Sequence, residues 1–92
     1  MYQEQISHVT MPTVFAREDA TWIKEQLATL PAGMREKISV AYAQAYQEAF
    51  DAEPVSFRQQ NAARRNANRR LREFCKRYTP AVRGYTSPPP RV

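Results

Sequence analysis

The sequence predicts an all-α fold, a small three-helix bundle with an extended N-terminal arm and a proline-rich flexible C-terminal tail. Between residues 17 and 78 the apolar side chains recur at intervals of three and four, which is the period of a helix with one buried face. Pro31, Pro54 and Pro80 interrupt this pattern and separate three segments of helical length. At 92 residues the chain forms one domain at most, and short connections make the helices neighbours.

The two ends of the chain lack this period. Residues 1–16 mix Ile6, Val9 and Val14 with threonine, serine and proline, so we expect an extended arm that orders only against the body or a partner. Residues 79–92 contain too few apolar side chains to pack and end in a polyproline-prone run, so we expect a flexible tail. The bundle therefore spans residues 17–78.

The first two helices are predicted at 17–29 and 32–51. In the first, Ile23 and Leu27 lie on one face, and acidic residues occupy the first turn, where they interact favourably with the helix dipole. In the second, Pro31 suits the helix start. Its apolar stripe contains Met34, Ile38, Ala41, Tyr42, Ala45, Ala49 and Phe50. The aromatic side chains at helical spacing, Tyr42, Tyr46 and Phe50, are assigned to the core rather than to base stacking.

The third helix is predicted at 57–78. Ser56 followed by Gln59 fits a capping box at its start, and Thr79-Pro80 ends it. One face carries a core stripe of Gln60, Ala63, Ala67, Leu71, Phe74 and Tyr78. The opposite face gathers basic side chains, so one helix combines a core face with a charged face.

Charge is distributed unevenly along the chain. Residues 56–78 contain seven arginines and one lysine against Glu73, a balance of +7, whereas residues 1–55 contain four bases against eight acids, a balance of −4. The whole chain carries +5. An acidic half followed by a basic helix favours a polyanionic or acidic partner, and it also permits internal neutralisation of one half by the other.

The strongest candidate site is the basic stripe of the third helix, formed by Arg58, Arg65, Arg69, Arg72 and Lys76. Guanidinium groups along one helical face can contact successive phosphates of DNA or RNA, and arginine makes bidentate contacts that lysine cannot. The neighbouring amides that can add contacts to bases or backbone are Asn61, Asn66 and Asn68.

Other interpretations of this stripe stay open. It fits an acidic protein surface, it fits a solvated face, and it fits docking on the carboxylates of Glu48, Asp51 and Glu53.

Arg64 falls beside the apolar stripe and is expected to form a structural ion pair with the second helix. Trp22 stands one position off the stripe of the first helix, so we expect a half-exposed indole and a secondary partner contact.

The sequence does not support an enzyme. We expect no catalytic residues, no metal site and no cofactor, because His8 is the single histidine, Cys75 is the single cysteine, and two glycines cannot form a phosphate-binding loop. No apolar segment approaches the roughly 20 residues that cross a bilayer. With one cysteine and no signal-peptide pattern, a cytoplasmic protein without membrane association is expected.

Two segments carry a resemblance to a group of known proteins. DATWIKEQLATLP and VAYAQAYQEAFDAEPVSFRQQNAARRNANRRLREF, together spanning about residues 19–74, resemble small uncharacterised early-region proteins of temperate enterobacterial phages and prophages. The shared features are the Leu30-Pro31 junction, the tyrosine-rich second helix and the arginine-rich run from Arg64 to Arg72. The resemblance implies a position near phage replication genes and a role in binding nucleic acid or a host enzyme. It assigns no site residues.

Together these observations favour a small non-enzymatic protein that binds DNA or RNA through the basic stripe. The alternative is a modulator or inhibitor of a host or phage replication, recombination or defence protein, and a third possibility is a homodimer formed through the second helix. One arginine-rich face suits DNA, RNA and an acidic protein alike, so the sequence does not distinguish them.

Overall fold

The computed structural model describes the backbone of residues 10–83 and the side chains of residues 10–78. A one-turn 3-10 helix, Arg17–Asp19, leads into α1 (Ala20–Ala28), which is followed by α2 (Ala32–Ala52) and α3 (Ser56–Arg83). No strand occurs in the described part of the chain. The predicted all-α three-helix bundle is therefore confirmed, with the first helix three residues shorter at its start because Arg17–Asp19 forms the tighter turn.

The core lies where α1 and α2 meet α3. Its buried side chains are Ile23, Leu27, Leu30, Ile38, Tyr42, Ala45, Tyr46, Ala63, Ala67, Leu71 and Cys75. Two of the α3 core residues, Ala63 and Ala67, are small and fully buried, and small side chains at a helix contact shorten the distance between axes. The predicted core positions of Tyr42 and Tyr46 are confirmed, and their rings stack with centroids 6.4 Å apart.

A guanidinium caps the end of α1. The Nε of Arg35 on α2 donates to the carbonyls of Leu27 and Leu30 at 3.0 and 3.1 Å, and its Nη2 donates to the carbonyl of Ala28 at 3.1 Å. The last carbonyls of a helix have no partner within it, and a cation there also interacts favourably with the helix dipole. Arg35 therefore stabilises the connection between α1 and α2.

The turn between α2 and α3 differs from the predicted capping box. The amide Nε2 of Gln59 donates to the carbonyl of Phe50 at 3.0 Å, so Gln59 caps the end of α2 rather than the start of α3. The Glu53 carboxylate accepts from the backbone N–H of Val55 at 3.2 Å. Ser56 is already helical, which moves the N-cap position to residue 55 and makes the Ser56–Gln59 prediction wrong.

The third helix is longer than predicted. It runs to Arg83, whereas the sequence prediction ended it at residue 78, before Thr79-Pro80. Pro80 lacks an N–H and so removes the hydrogen bond to the carbonyl of Lys76, but its fixed φ is itself helical and it lies in the last turn. The rest of the predicted tail, residues 84–92, lies outside the described residues.

The part of the predicted arm that the structure describes packs along α2. Residues 10–16 form no helix, Pro12 and Ala16 are buried, and the hydroxyl of Ser39 donates to the carbonyl of Thr10 at 2.7 Å. The first nine residues of the arm lie outside the described part of the chain. Contact with α2 thus orders residues 10–16 without regular structure.

Candidate nucleic-acid interface

The helix α3 has a buried side and a charged side. Its buried side repeats every four residues with Ala63, Ala67, Leu71 and Cys75. Its other side is exposed, and we call the exposed cations there the basic face: Arg58, Arg65, Arg69, Arg70, Lys76 and Arg77. Glu73 is the one acidic residue of α3. The bundle therefore holds a row of cations toward solvent on a helix whose opposite side is fixed in the core.

The basic face is long, and its cations form no ion pair in the described residues, although the exposed Glu73 lies between Arg69 and Arg77 on the same helix. From Arg58 to Lys76 it extends about 27 Å along the helix axis at a rise of about 1.5 Å per residue. Within residues 10–78, both ion pairs belong to Arg64, which is not part of this face. Arg69 donates from Nη2 to the side-chain oxygen of Asn66 at 2.7 Å, which leaves its charge unneutralised.

One of the open interpretations, docking of this face on the carboxylates at the end of α2, does not occur in the described residues. Asp51 accepts from the amide of Gln47 at 3.0 Å, and Glu53 accepts from a backbone N–H, while neither pairs with a cation of α3. Glu48 is exposed. The carboxylates at the end of α2 therefore leave the basic face available to a partner.

Four of the five predicted binding residues lie on the basic face, and Arg72 does not. Arg72 is half-buried, and its guanidinium carbon lies 5.9 Å from the centre of the Trp22 ring on α1. Its Nη1 is buried and has no acceptor among the described residues. Arg72 sits at the edge of α3 that meets α1, so it covers an indole. Arg70 and Arg77, which are not among the five predicted residues, are exposed and belong to the basic face.

Trp22 is less available to a partner than predicted. Its side chain is half-buried as expected, but it packs against the core cluster, and its indole N–H is buried without an acceptor in the described part of the chain. An interface tryptophan normally presents that N–H to solvent or a partner. Trp22 therefore packs between α1 and α3, in contact with Arg72.

Two of the three predicted contact amides are used inside the bundle. The amide of Asn66 donates to the carbonyl of Ala45 at 2.9 Å, which links α3 to α2. Asn68 is 2 % exposed, and its amide oxygen accepts from the Tyr42 hydroxyl at 2.6 Å. Asn61 remains exposed beside the basic face. Burial makes Asn68 unavailable for contacts with bases or backbone, and the half-buried Asn66 already uses its amide N–H within the fold.

A buried charge network fixes α3 against the start of α1. The guanidinium of Arg64 donates to Asp19 in a bidentate pair, Nε to Oδ2 at 2.8 Å and Nη2 to Oδ1 at 2.9 Å. Asn68 adds a third hydrogen bond to Asp19 Oδ2 at 3.1 Å, and Glu18 lies 3.3 Å from Arg64 Nη1. The predicted ion pair of Arg64 exists, but the prediction placed its partner on the second helix, and the partner is Asp19.

The network shifts the pKa values of its members. Hydrogen bonds from Arg64 hold the pKa of the Asp19 carboxyl below its usual range, although burial acts in the opposite sense. Burial raises the pKa of the Tyr42 hydroxyl well above its ordinary value, and the nearby Asp19 charge adds to that shift. Asp19 is therefore an anion and Tyr42 a neutral donor at physiological pH, as their hydrogen bonds require.

The side chains of residues 10–78 form no other cluster of reactive groups. Cys75 is buried with its Sγ 3.5 Å from the carbonyl of Gln26, and burial raises the pKa of its thiol. Among the described residues no group of histidine, cysteine, aspartate and glutamate side chains could hold a metal ion. His8 lies outside that range. In the same part of the chain no helix combines the length and apolarity that crossing a bilayer requires.

Comparison with protein families, with curated proteins and with solved structures found no match to this chain.

Proposed function

We propose that this protein binds nucleic acid through the basic face of α3. The observation that carries the proposal is a set of six exposed cations on one helix, none of which forms an ion pair with a carboxylate in the described residues. A surface of this kind attracts a polyanion, and the release of condensed counterions from the phosphates drives the association.

The bundle supports this role by holding the cations on one rigid element. Ala63, Ala67 and Leu71 fix the opposite side of α3 in the core, and the Arg64–Asp19 pair anchors it to α1. Cations held on a packed helix lose less conformational entropy on binding than cations on a mobile segment. Arginine predominates, and its planar guanidinium can contact a phosphate with two parallel hydrogen bonds.

The proposal extends to the setting of the protein. The resemblance of residues 19–74 to early-region phage proteins supports a small phage accessory protein that acts in the host cytoplasm, by contact rather than by catalysis. The alternative, an acidic surface on a replication, recombination or defence enzyme, would use the same basic face.

Fluorescence anisotropy of labelled single-stranded DNA, duplex DNA and RNA, titrated with the full chain from low to physiological salt, tests the proposal. We expect binding that weakens with salt at a log–log slope of about −3 to −5, corresponding to contacts with roughly four to six phosphates. Failure to bind any of the three at low salt would contradict the proposal. It would move the search to an acidic protein partner.

A further inference from the structure

An aromatic side chain stands in solvent beside the basic face. Phe57, in the first turn of α3, is 80 % exposed. Elsewhere in the described part of the chain the large apolar side chains are at least partly buried, apart from Val40 at 53 %. An exposed benzyl group forgoes the stabilisation that burial gives, so the fold itself provides no reason for a phenylalanine here.

The surroundings of this ring are cationic. The guanidinium carbon of Arg58 lies 5.7 Å from the centre of the Phe57 ring. Asn61 and Arg65 follow at i+4 and i+8, which places them on the same side of the helix as the ring, and both are exposed. An aromatic face next to a track of cations is the combination that proteins use to bind single strands, whose bases stack while the backbone is neutralised.

We propose that Phe57 stacks on an unpaired base, so that the ligand of the basic face is single-stranded nucleic acid. This inference rests on the proposed function and narrows its substrate class. In a duplex the faces of the bases are covered by their neighbours, whereas a single strand exposes them. Arg58 and Arg65 then contact the phosphates that flank the stacked nucleotide.

A nucleotide fits these surroundings better than an apolar protein surface. A protein that buried the ring would also remove water from Arg58 and Arg65 and would have to supply carboxylates to both. A nucleotide presents a stacking surface and an anionic phosphate in one unit. The same combination is found in single-stranded DNA and in single-stranded RNA, so both are arms of the test.

The test compares Phe57→Ala, Phe57→Trp and the matched exposed control Val40→Ala with the wild-type protein. The probes are an oligothymidylate, an oligouridylate, a blunt DNA duplex and an abasic strand of the same length as the oligothymidylate. The oligothymidylate and the abasic strand offer the same number of phosphates, but the abasic strand has no base to stack. Melting curves followed by circular dichroism would check that each variant folds.

We expect Phe57→Ala to weaken binding of at least one base-bearing single strand by about 5- to 150-fold, the effect of losing one stacked base, and to change duplex and abasic binding by about twofold or less. The salt dependence stays unchanged because no phosphate contact is lost. Phe57→Trp retains the affinity, since indole also stacks, and Val40→Ala behaves as wild type. The wild-type protein binds the preferred single strand more tightly than the duplex.

Three outcomes would overturn the inference: unchanged binding of both base-bearing strands by Phe57→Ala, an equal loss on the duplex or abasic strand, or tighter wild-type binding to the duplex. In each of them salt-dependent binding persists, so the proposed function stands while the role of Phe57 falls. If the wild-type protein binds none of the four probes, the proposed function falls and this inference falls with it.

Discussion

Replacing Asp19 with alanine is expected to lower the free energy of unfolding by about 3–5 kcal/mol. Asp19 is 5 % exposed and accepts from Arg64 and Asn68, so its loss leaves the guanidinium with only the exposed Glu18 as a partner and removes an acceptor from the buried amide of Asn68. Removing Asp19 costs more than the pair contributes, because Arg64, whose side chain is 27 % exposed, regains only part of its hydration and the Asn68 amide stays buried. Urea unfolding followed by circular dichroism measures the change.

Glu18→Ala is the matched control for this prediction. Glu18 lies 3.3 Å from the same guanidinium, but its side chain is 57 % exposed. An exposed ion pair contributes about 0–1 kcal/mol, so this variant should unfold near the wild-type midpoint. If Asp19→Ala were no less stable than Glu18→Ala, the buried network would not hold α3 against α1.

The Asp19 network also makes stability depend on pH. The pKa of the Asp19 carboxyl is lower in the folded protein than its ordinary value of about 3.8. The ionised carboxylate therefore makes its full contribution to stability at pH values above about 3.8. The contribution is lost as the pH falls through the folded-state pKa. Asp19→Asn should therefore be less stable than wild type at neutral pH and lose less stability on acidification. Parallel acid-unfolding profiles for the two proteins would contradict this assignment.

Reversing three cations of the basic face is expected to abolish nucleic-acid binding at physiological salt. Arg65, Arg69 and Lys76 are exposed and take no part in an ion pair within the described residues, so glutamate at these positions should leave the fold intact. Each lost phosphate contact reduces the magnitude of the log–log salt slope by about 0.7–0.9, and each new carboxylate repels the backbone. Arg72 is left unchanged because it stacks on Trp22.

A matched control separates the effect of the basic face on binding from the effect of the net charge of the chain. Arg17, Lys24 and Lys37 are exposed cations on the other elements of the bundle. Reversing these three also changes the charge by six, from +5 to −1, so both triple variants carry the same total. We expect the control to retain most of the affinity for nucleic acid, because it loses only long-range electrostatic attraction, which salt screens. Equal loss in both triples would show that overall charge, rather than the α3 face, governs binding.

Local periodicity was sufficient to predict the bundle. The spacing of Ile23 and Leu27, and of Ala63, Ala67 and Leu71, identified buried faces because a helix repeats its side every three to four residues. The off-stripe position of Arg64 likewise predicted a structural ion pair. Its partner was misassigned, since Asp19 lies 45 residues away and the packing of α1 on α3 decides which carboxylate it reaches.

Periodicity alone could not predict which residues form the basic face, because that also depends on how the helices pack. A single helical wheel treats both edges of α3 alike, yet α1 covers the edge with Arg72, and solvent surrounds the edge with Arg70 and Arg77. The burial of Asn68 could not be predicted from the sequence either, because it depends on the Tyr42 hydroxyl reaching Asn68 from α2. Neighbouring helices therefore decide which polar residues of α3 face outward.

The most direct test of the account is to map the nucleic-acid contact on the folded protein by NMR. Amide and guanidinium signals of the full chain would be followed while unlabelled oligothymidylate, oligouridylate or duplex DNA is added. We expect the shift changes to concentrate on the exposed side of α3, from Phe57 to Arg77, while α1 and the outer surface of α2 stay unchanged. Changes confined to α1, α2 or residues 10–16, with α3 unaffected, would contradict the assignment of the basic face as the binding surface.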